Sequence, residues 1–151
     1  MTRKERELLL HLLDEGYNRV AWHGPTLRGS IRGVSAAEAA KRPAPGRHSI
    51  WELVVHAAYW KCAVRRRLAG GKRGAFPRSG SNWLAIPSPP TPAAWKRDID
   101  LLATCHRELR DVVECLDTLT PRRRRLIAGI ALHDVYHAGQ IQLVKRMIRG
   151  G

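Results

Sequence analysis

The sequence predicts an all-α protein built as a four-helix bundle, and three observations support that prediction. Apolar residues recur at steps of three and four in four separate segments, which is the periodicity of a helix face. A Ser or Thr suited to a helix N-cap precedes each of these segments. No segment alternates with period two, so no strand is expected. Four helices of about 15 to 28 residues imply an antiparallel bundle with at least one long connection.

The first helix begins at the capping box Thr2-x-x-Glu5 and is expected to run on toward Trp22. Its apolar positions are Leu8, Leu9, Leu12, Leu13 and Val20. A second capping box, Ser35-x-x-Glu38, opens a short helical turn that a proline closes. The N-terminal quarter of the chain therefore contributes one long helix and one short turn.

The second long helix begins at the capping box Ser49-x-x-Glu52 and ends near Ala69, before two glycines. A segment rich in Gly, Pro and Ser follows, from Gly70 to Pro90. It is too polar and too often interrupted to be a core element. Segments of this length without secondary structure are usually functional or mobile in compact domains.

The third and fourth helices each begin at a Thr-Pro pair, with the proline in the first turn where its missing N–H costs nothing. Thr91-Pro92 opens the third helix, whose amphipathic pattern extends over Trp95–Leu116. Thr120-Pro121 opens the fourth helix, which continues to about Arg149. The longest helix is thus expected at the C-terminal end.

Length and composition indicate one domain covering residues 1–151, since 151 residues with 44% apolar content suffice for one real core. The N-terminal segment is neither a signal peptide nor a membrane span, so a cytoplasmic protein is expected. The three cysteines form no C-x-x-C pair, which suits a reducing compartment. They are expected in the core or on helix surfaces: Cys62, Cys105 and Cys115.

The net charge is high, at +14, and Arg far outnumbers Lys. Such a balance is compatible with nucleic acid, an anionic membrane or an acidic small molecule as partner. The charge is spread over the whole chain, with short clusters at Arg65–Arg67 and Arg122–Arg125 rather than one long basic face. A solvated Arg-rich surface without a partner explains the charge equally well.

Two histidines four residues apart, His133 and His137, lie inside an apolar stripe of the last helix. Residues of this stripe recur at steps of three and four and share one face: Leu126, Ile130, His133, His137, Gln140, Val144 and Ile148. The two imidazoles therefore point inward. A third, His56, lies at the edge of an apolar face of the second long helix. Packing of the two helices face to face would bring all three together.

Three neighbouring imidazoles suit a divalent metal, because neutral imidazole is a common ligand of zinc, nickel and iron. Three protein ligands with an open position are typical of a catalytic site. Hydrogen-bonded core histidines are the alternative, but burial without a shared partner would leave polar nitrogens unsatisfied. The expected ligands are therefore His56, His133 and His137. The other histidines are expected outside the ligand set: His11, His23, His48 and His106.

The residue after the first histidine of the pair argues against a protease. Zinc peptidases carry a glutamate there as general base, whereas this chain has Asp134, which is one carbon shorter. Gln140 lies one turn beyond His137 and is expected either to hydrogen-bond near the site or to make a buried contact between helices. Glu52 lies one turn before His56, and its capping role is expected to take precedence over metal binding.

The stretch from His133 to Ile141, His-Asp-Val-Tyr-His-Ala-Gly-Gln-Ile, together with residues 48–56, resembles the DinB-like (DinB/YfiT) superfamily. The resemblance spans almost the whole chain, including the order of the helices and the long connection after the second one. It implies an up-down-down-up four-helix bundle with a three-histidine site for a divalent metal, often zinc or nickel. Matched by motif, the ligands would be His56, His133 and His137.

Characterised members of this superfamily include thiol-dependent S-transferases and isomerases that use mycothiol, bacillithiol or glutathione. The resemblance therefore implies a metal-dependent S-transferase, in which a bound thiol ionises at neutral pH and attacks an electrophilic carbon. The same site can bind water and produce hydroxide, so metal-dependent hydrolysis remains open. Arg78 in the long loop is expected to hold a carboxylate of the thiol.

The expected partners are a low-molecular-weight thiol and a small electrophile, with no membrane. Specific nucleic-acid binding is not expected, because aromatic and basic residues do not alternate on a recognisable platform. The alternative from another functional class is a non-catalytic basic helical module that binds nucleic acid or another polyanion, with the histidines merely packed. The resemblance also implies a homodimer.

Overall fold

The computed structural model describes residues 2–71 and 76–150, and this part of the chain contains six helices and no strand. The helices are α1 (Arg3–Tyr17), α2 (Leu27–Ser30), α3 (Ala36–Ala40), α4 (Ile50–Leu68), α5 (Pro92–Glu114) and α6 (Pro121–Arg149). One isolated backbone bridge joins Ala21 to Gly24. The prediction of an all-α protein is confirmed.

All six helices begin after a Ser or Thr whose hydroxyl accepts the backbone N–H of the third helical residue. Such a cap typically stabilises a helix by about 1 kcal/mol, because it satisfies one of the first unpaired N–H groups. The three predicted capping boxes are all present: Thr2 with Glu5, Ser35 with Glu38, and Ser49 with Glu52. Local sequence therefore fixes where these helices start.

The first helix is shorter than predicted, because it ends at Tyr17 rather than near Trp22. Asn18 caps the end by donating its backbone N–H to the carbonyl of Asp14. Val20 and Trp22 are 95% and 100% exposed, so their apolar side chains do not extend the buried face of α1. The short helix α2 was not predicted, since four residues are too few to show a helical period.

Helix α4 lies at the centre of the packing, in contact with α5 and α6, while α1 packs against α6 and α5. Most of its residues are buried, which explains its nearly continuous apolar sequence. The predicted loop from Gly70 to Pro90 joins α4 to α5. Its residues 72–75 lie outside the described part, and its described residues contain neither helix nor strand. The remainder of this α4–α5 loop places Phe76 and Leu84 in the core.

The buried apolar residues form two clusters. One contains Val55 and Cys62 of α4, Cys105 of α5 and Ile141 of α6. The other contains residues nearer the opposite ends of these helices, including Val64, Leu109 and Ile130. A polar layer lies beside the two clusters, and on α5 and α6 its residues fall between them. Its members are His56, Lys61, His106, His133, Asp134 and His137, and Tyr17 of the first cluster contacts it.

The three cysteines are free thiols, with Cys62 and Cys105 buried and Cys115 exposed. Their expected placement in the core and on a helix surface is confirmed. Within the two described ranges, no helix combines the length and the apolar character needed to cross a membrane.

Candidate metal centre

The packing of α4 against α6 brings together the three histidines that the sequence singled out. The Nε2 atom of His133 lies 3.2 Å from Nε2 of His56 and 3.0 Å from Nε2 of His137. One nitrogen from each ring lies within 4.8 Å of the other two. His56 and His137 are buried and His133 is partly exposed, so this imidazole cluster reaches solvent on the side of His133.

Two of the three rings are oriented by carbonyl oxygens on their far side. The Nδ1 of His56 lies 3.0 Å from the backbone oxygen of Asn82, and the Nδ1 of His137 lies 2.6 Å from Oε1 of Gln140. The amide nitrogen of Gln140 donates to the phenol oxygen of Tyr136 at 3.1 Å, which leaves its oxygen facing His137. A carbonyl oxygen only accepts, so both Nδ1 atoms carry the proton and both Nε2 atoms present a lone pair to the cluster.

The third ring cannot satisfy both lone pairs. A neutral His133 has one N–H, whereas the Nε2 atoms of His56 and His137 both present acceptors to it. The Nδ1 of His133 is buried and has no hydrogen-bond partner among the described residues. Buried polar groups are nearly always paired, so this arrangement is unfavourable without a further ligand. A cation between the three Nε2 atoms removes the conflict between their lone pairs, while the Nδ1 of His133 stays unpaired among the described residues. The donor set fits a divalent metal.

The protein keeps all three imidazoles neutral. The pKa of His133 is lowered to about 3, mainly by burial and then by the neighbouring His137 and His56. Burial also lowers the pKa of His137 to about 4, against the opposing hydrogen bond to Gln140. The pKa of His56 is lowered by burial as well, although its hydrogen bond to Asn82 acts the other way. Neutral rings are the form that binds metal, so the site is ready for a ligand at physiological pH.

An aromatic stack forms one wall of the imidazole cluster. The indole of Trp83 lies between His48 and His56, with ring centroids 3.5 Å and 3.9 Å away and nearly parallel planes. Trp83 is 39% exposed and covers the outer face of His56. His48 therefore lies outside the imidazole cluster, as the sequence predicted, and supports it through Trp83.

Glu52 has the capping role that the sequence predicted. Its carboxylate accepts the backbone N–H of Ser49 at 2.7 Å and pairs with the guanidinium of Arg42. Arg78 of the α4–α5 loop is engaged within the chain. Its guanidinium donates to the buried carboxylate of Asp98 at 2.6 Å and to the carbonyl of Ala85. These bonds tie the α4–α5 loop to α5, and the expectation that Arg78 also holds a carboxylate of the thiol stays a prediction.

Asp134 points away from the imidazole cluster into an ion-pair network formed by Lys61, His106 and Asp134. The ammonium of Lys61 pairs with Asp134 and lies 3.2 Å from Nδ1 of His106. Lys61 and Asp134 are completely buried, and burial raises the pKa of Asp134 while Lys61 partly offsets that effect. Tyr17 stacks on His106 with ring centroids 3.9 Å apart.

Sequence reasoning missed two features of this region. His106 was expected outside the ligand set, at the surface or partly buried, but it is only 6% exposed. The role of Lys61 was not predicted, although a lysine between Trp60 and Cys62 in a largely apolar helix indicates either a buried charge or a snorkelling side chain. The other two histidines, His11 and His23, lie away from the cluster; His11 contacts Glu15 at 3.2 Å.

Comparison with known proteins gives one match. The family model described as the DinB superfamily matches residues 19–141, which is most of the chain. The match includes α4 and the part of α6 that carries His133 and His137, so it covers all three clustered histidines. No curated protein and no solved structure matches the chain significantly.

Proposed function

The chain belongs to the DinB superfamily, and on this basis we propose that it is a divalent-metal-dependent enzyme whose metal is held by His56, His133 and His137. Zinc or nickel is the proposed metal. We further propose that the four long helices α1, α4, α5 and α6 form the up-down-down-up bundle of that superfamily, with α2 and α3 as short additions. The observation that carries the metal proposal is the convergence of three Nε2 atoms, two of which present lone pairs to a third ring.

The proposed reaction is transfer of a low-molecular-weight thiol to an electrophilic carbon. A divalent metal at this position would supply a Lewis-acid site at which a thiol ionises near neutral pH. The chain itself holds three neutral imidazoles in fixed orientation, through Asn82 and Gln140. Trp83 and His48 exclude water from one side of the cluster. The thiol and the electrophile would enter beside the partly exposed His133.

The surrounding carboxylates favour thiol transfer over hydrolysis. Hydrolysis at a metal commonly uses a nearby carboxylate as general base, as the glutamate of zinc peptidases does. The carboxylates closest in sequence to the histidines are Glu52 and Asp134, and both are engaged, with Arg42 and Lys61 respectively. Attack by an ionised thiol on an electrophilic carbon needs no such base. Positive charge over the whole molecule, +14, also favours a thiol that carries carboxylates.

Metal binding is tested first, on protein purified without a histidine tag. We expect about one zinc or nickel ion per chain, and a large loss of affinity in His56→Ala and in His133→Ala/His137→Ala, because each loses a direct ligand. His23→Ala is the matched control, since His23 is exposed and lies outside the cluster. Stoichiometric metal in the double variant would contradict the proposal.

Turnover is tested with mycothiol, bacillithiol, glutathione and cysteine against a haloalkane, an epoxide and an activated alkene. We expect thiol consumption that requires both metal and thiol, because a free thiol with a pKa of about 8.5 is only a few per cent ionised at neutral pH. Metal-free protein and His137→Ala serve as controls. Turnover that needs metal but no thiol would replace the transferase with a hydrolase, and equal thiol rates with and without metal would remove the transferase.

The proposed partners are small molecules and a second copy of the chain, rather than nucleic acid. Large apolar side chains are exposed at intervals along α6, which supports a homodimer: Leu132, Tyr136, Leu143 and Met147. Sedimentation of the wild type and of Leu143→Glu tests this, with a dimer expected only for the wild type. A tight complex with DNA at physiological salt that survives loss of the histidines would instead support the polyanion-binding alternative.

A further inference from the structure

The α4–α5 loop contacts the imidazole cluster through Asn82 and Trp83, and Asn82 makes two hydrogen bonds at once. Its backbone oxygen lies 3.0 Å from Nδ1 of His56. Its side-chain oxygen accepts the indole N–H of Trp60 at 2.8 Å. His56 and Trp60 lie one turn apart on α4, so Asn82 is tied to the same helix at two successive positions.

The backbone of Asn82 has an uncommon conformation. Its φ is +54°, and it is the only non-glycine residue with positive φ in the described part of the chain. Asn tolerates this left-handed region better than most residues, whereas a β-branched side chain is strained there. The carbonyl of Asn82 therefore depends on a conformation that only a few residue types adopt without strain.

The next residue fixes the same imidazole by a different contact. Trp83 stacks on the ring of His56 at 3.9 Å with an interplanar angle of 11°. The stack restricts rotation of the ring, and the Asn82 carbonyl determines which nitrogen carries the proton. With Nδ1 protonated, Nε2 is the atom left to face His133 and His137.

We propose that Asn82 is a positioning residue of the metal centre: its left-handed backbone presents the carbonyl that fixes the Nδ1–H form of His56. The proposal rests on the proposed metal site, but the proton position on His56 exists without metal. Orienting partners of this kind typically change metal affinity 10- to 100-fold when lost. The loop thus takes part in the centre without supplying a ligand.

Three variants distinguish the effect of the Asn82 backbone conformation on zinc affinity from the effect of its side chain. Asn82→Val strains the left-handed backbone and is expected to weaken zinc binding about 10- to 100-fold, measured by competition with a chelator. Asn82→Gly keeps access to positive φ and the carbonyl, so it is expected to bind within about threefold of the wild type. Ser81→Val is the matched control, because the neighbouring exposed residue lacks positive φ and should leave affinity unchanged.

A second readout uses metal-free wild-type protein at neutral pH. Long-range ¹⁵N–¹H NMR of labelled histidine is expected to show His56 with its proton on Nδ1, and Asn82→Val is expected to populate the Nε2–H form. A wild-type His56 protonated on Nε2 would overturn the proposal whether or not zinc binds. Wild-type affinity in a folded Asn82→Val, or equal losses in the Val and Gly variants, would also overturn it. Failure of the wild type to bind zinc with the Nδ1–H form present would count against the metal site alone.

Discussion

The ion-pair network and the imidazole cluster lie side by side in one polar layer, yet they balance their buried polar groups in different ways. In the network, the ammonium of Lys61 meets the carboxylate of Asp134 and accompanies His106. In the cluster, three rings of the same kind turn the same atom toward one another. The network pairs its opposite charges within the chain, and in that pair only Oδ1 of Asp134 lacks a hydrogen-bond partner among the described residues. The three Nε2 atoms of the cluster gain a common partner only when a cation is added.

This difference shows how a structural polar group can be distinguished from a binding site. A buried charge is tolerated when the opposite charge lies beside it, as for Lys61 and Asp134. Neutral acceptors that face one another without a shared partner, such as the Nε2 atoms of His56 and His137, are costly to the folded protein by itself. The following experiments test whether the two halves of the layer really differ in this way.

Acidification is expected to have the largest effect on the metal-free protein. The folded-state pKa values of His106 and His137 are about 3 and about 4, below the unfolded value of 6.5. Between these limits the unfolded chain binds protons that the folded chain does not, so stability falls as pH falls below 6.5. For each such histidine, the free energy of unfolding falls by about 1.4 kcal/mol per pH unit. The raised pKa of Asp134 offsets part of this loss.

Urea unfolding of metal-free protein at pH 7, 6 and 5 measures how the free energy of unfolding changes with pH. His106→Gln is expected to reduce the slope, because it removes one group whose pKa differs between the two states. Equal free energies of unfolding at pH 7 and pH 5 would show that the histidines are not buried as neutral rings.

Breaking the ion-pair network is expected to cost about 3–5 kcal/mol of stability in Lys61→Met, because the carboxylate of Asp134 is left buried without its partner. The double variant Lys61→Met/Asp134→Leu should be more stable than the single variant, since it removes both charges. Lys96→Met is the control, as its pair with Asp100 is mostly exposed. Chemical denaturation of the wild type and the three variants measures their free energies of unfolding. An unchanged free energy of unfolding in Lys61→Met would refute the charge-compensation argument.

Changing the cluster is expected to act mainly through the metal. Zinc at 100 times its dissociation constant should stabilise the wild type by about 3 kcal/mol. His133→Leu should lose this gain while the metal-free protein changes little, because the imidazole it removes has an unpaired nitrogen. His106→Leu should lower the stability of the metal-free protein while zinc still stabilises it as much as it stabilises the wild type. If zinc still stabilised His133→Leu, the distinction between the ion-pair network and the imidazole cluster would be refuted.

The smallest effect is expected where α1 closes the layer over the ion-pair network. A Cβ on Gly16 would lie 2.8 Å from the backbone oxygen of Ala131, so Gly16→Ala must displace α1 and should cost about 1–3 kcal/mol. Gly129→Ala is the matched control on α6, with no atom within 4 Å of its Cβ and an expected gain of up to about 1 kcal/mol. Thermal unfolding of both variants measures the difference.

The sequence was informative where structure depends on local signals. Capping residues located the starts of the four long helices, and helical spacing placed His133 and His137 on an inward face. The end of α1 was misjudged because Val20 and Trp22 look like core residues until their exposure is known. A pattern of apolar residues shows which side chains can be buried, but not which surfaces are available to bury them.

Other features depended on contacts between distant segments. Lys61 and Asp134 are separated by 73 residues, and nothing in either local sequence reveals the pairing. Asn82 lies in a loop without periodicity, and its role follows only from its contacts with α4. The members of the cluster were therefore predictable, whereas the groups that orient and surround them were not.

X-ray absorption at the zinc edge of zinc-loaded, tag-free protein tests the central claim most directly. The imidazole cluster predicts one zinc per chain, with three imidazole nitrogens at about 2.0–2.1 Å and no sulfur ligand. In His133→Ala/His137→Ala this signature should disappear. Sulfur scattering at about 2.3 Å, or an unchanged nitrogen shell in the double variant, would place the metal elsewhere and contradict the assignment of His56, His133 and His137.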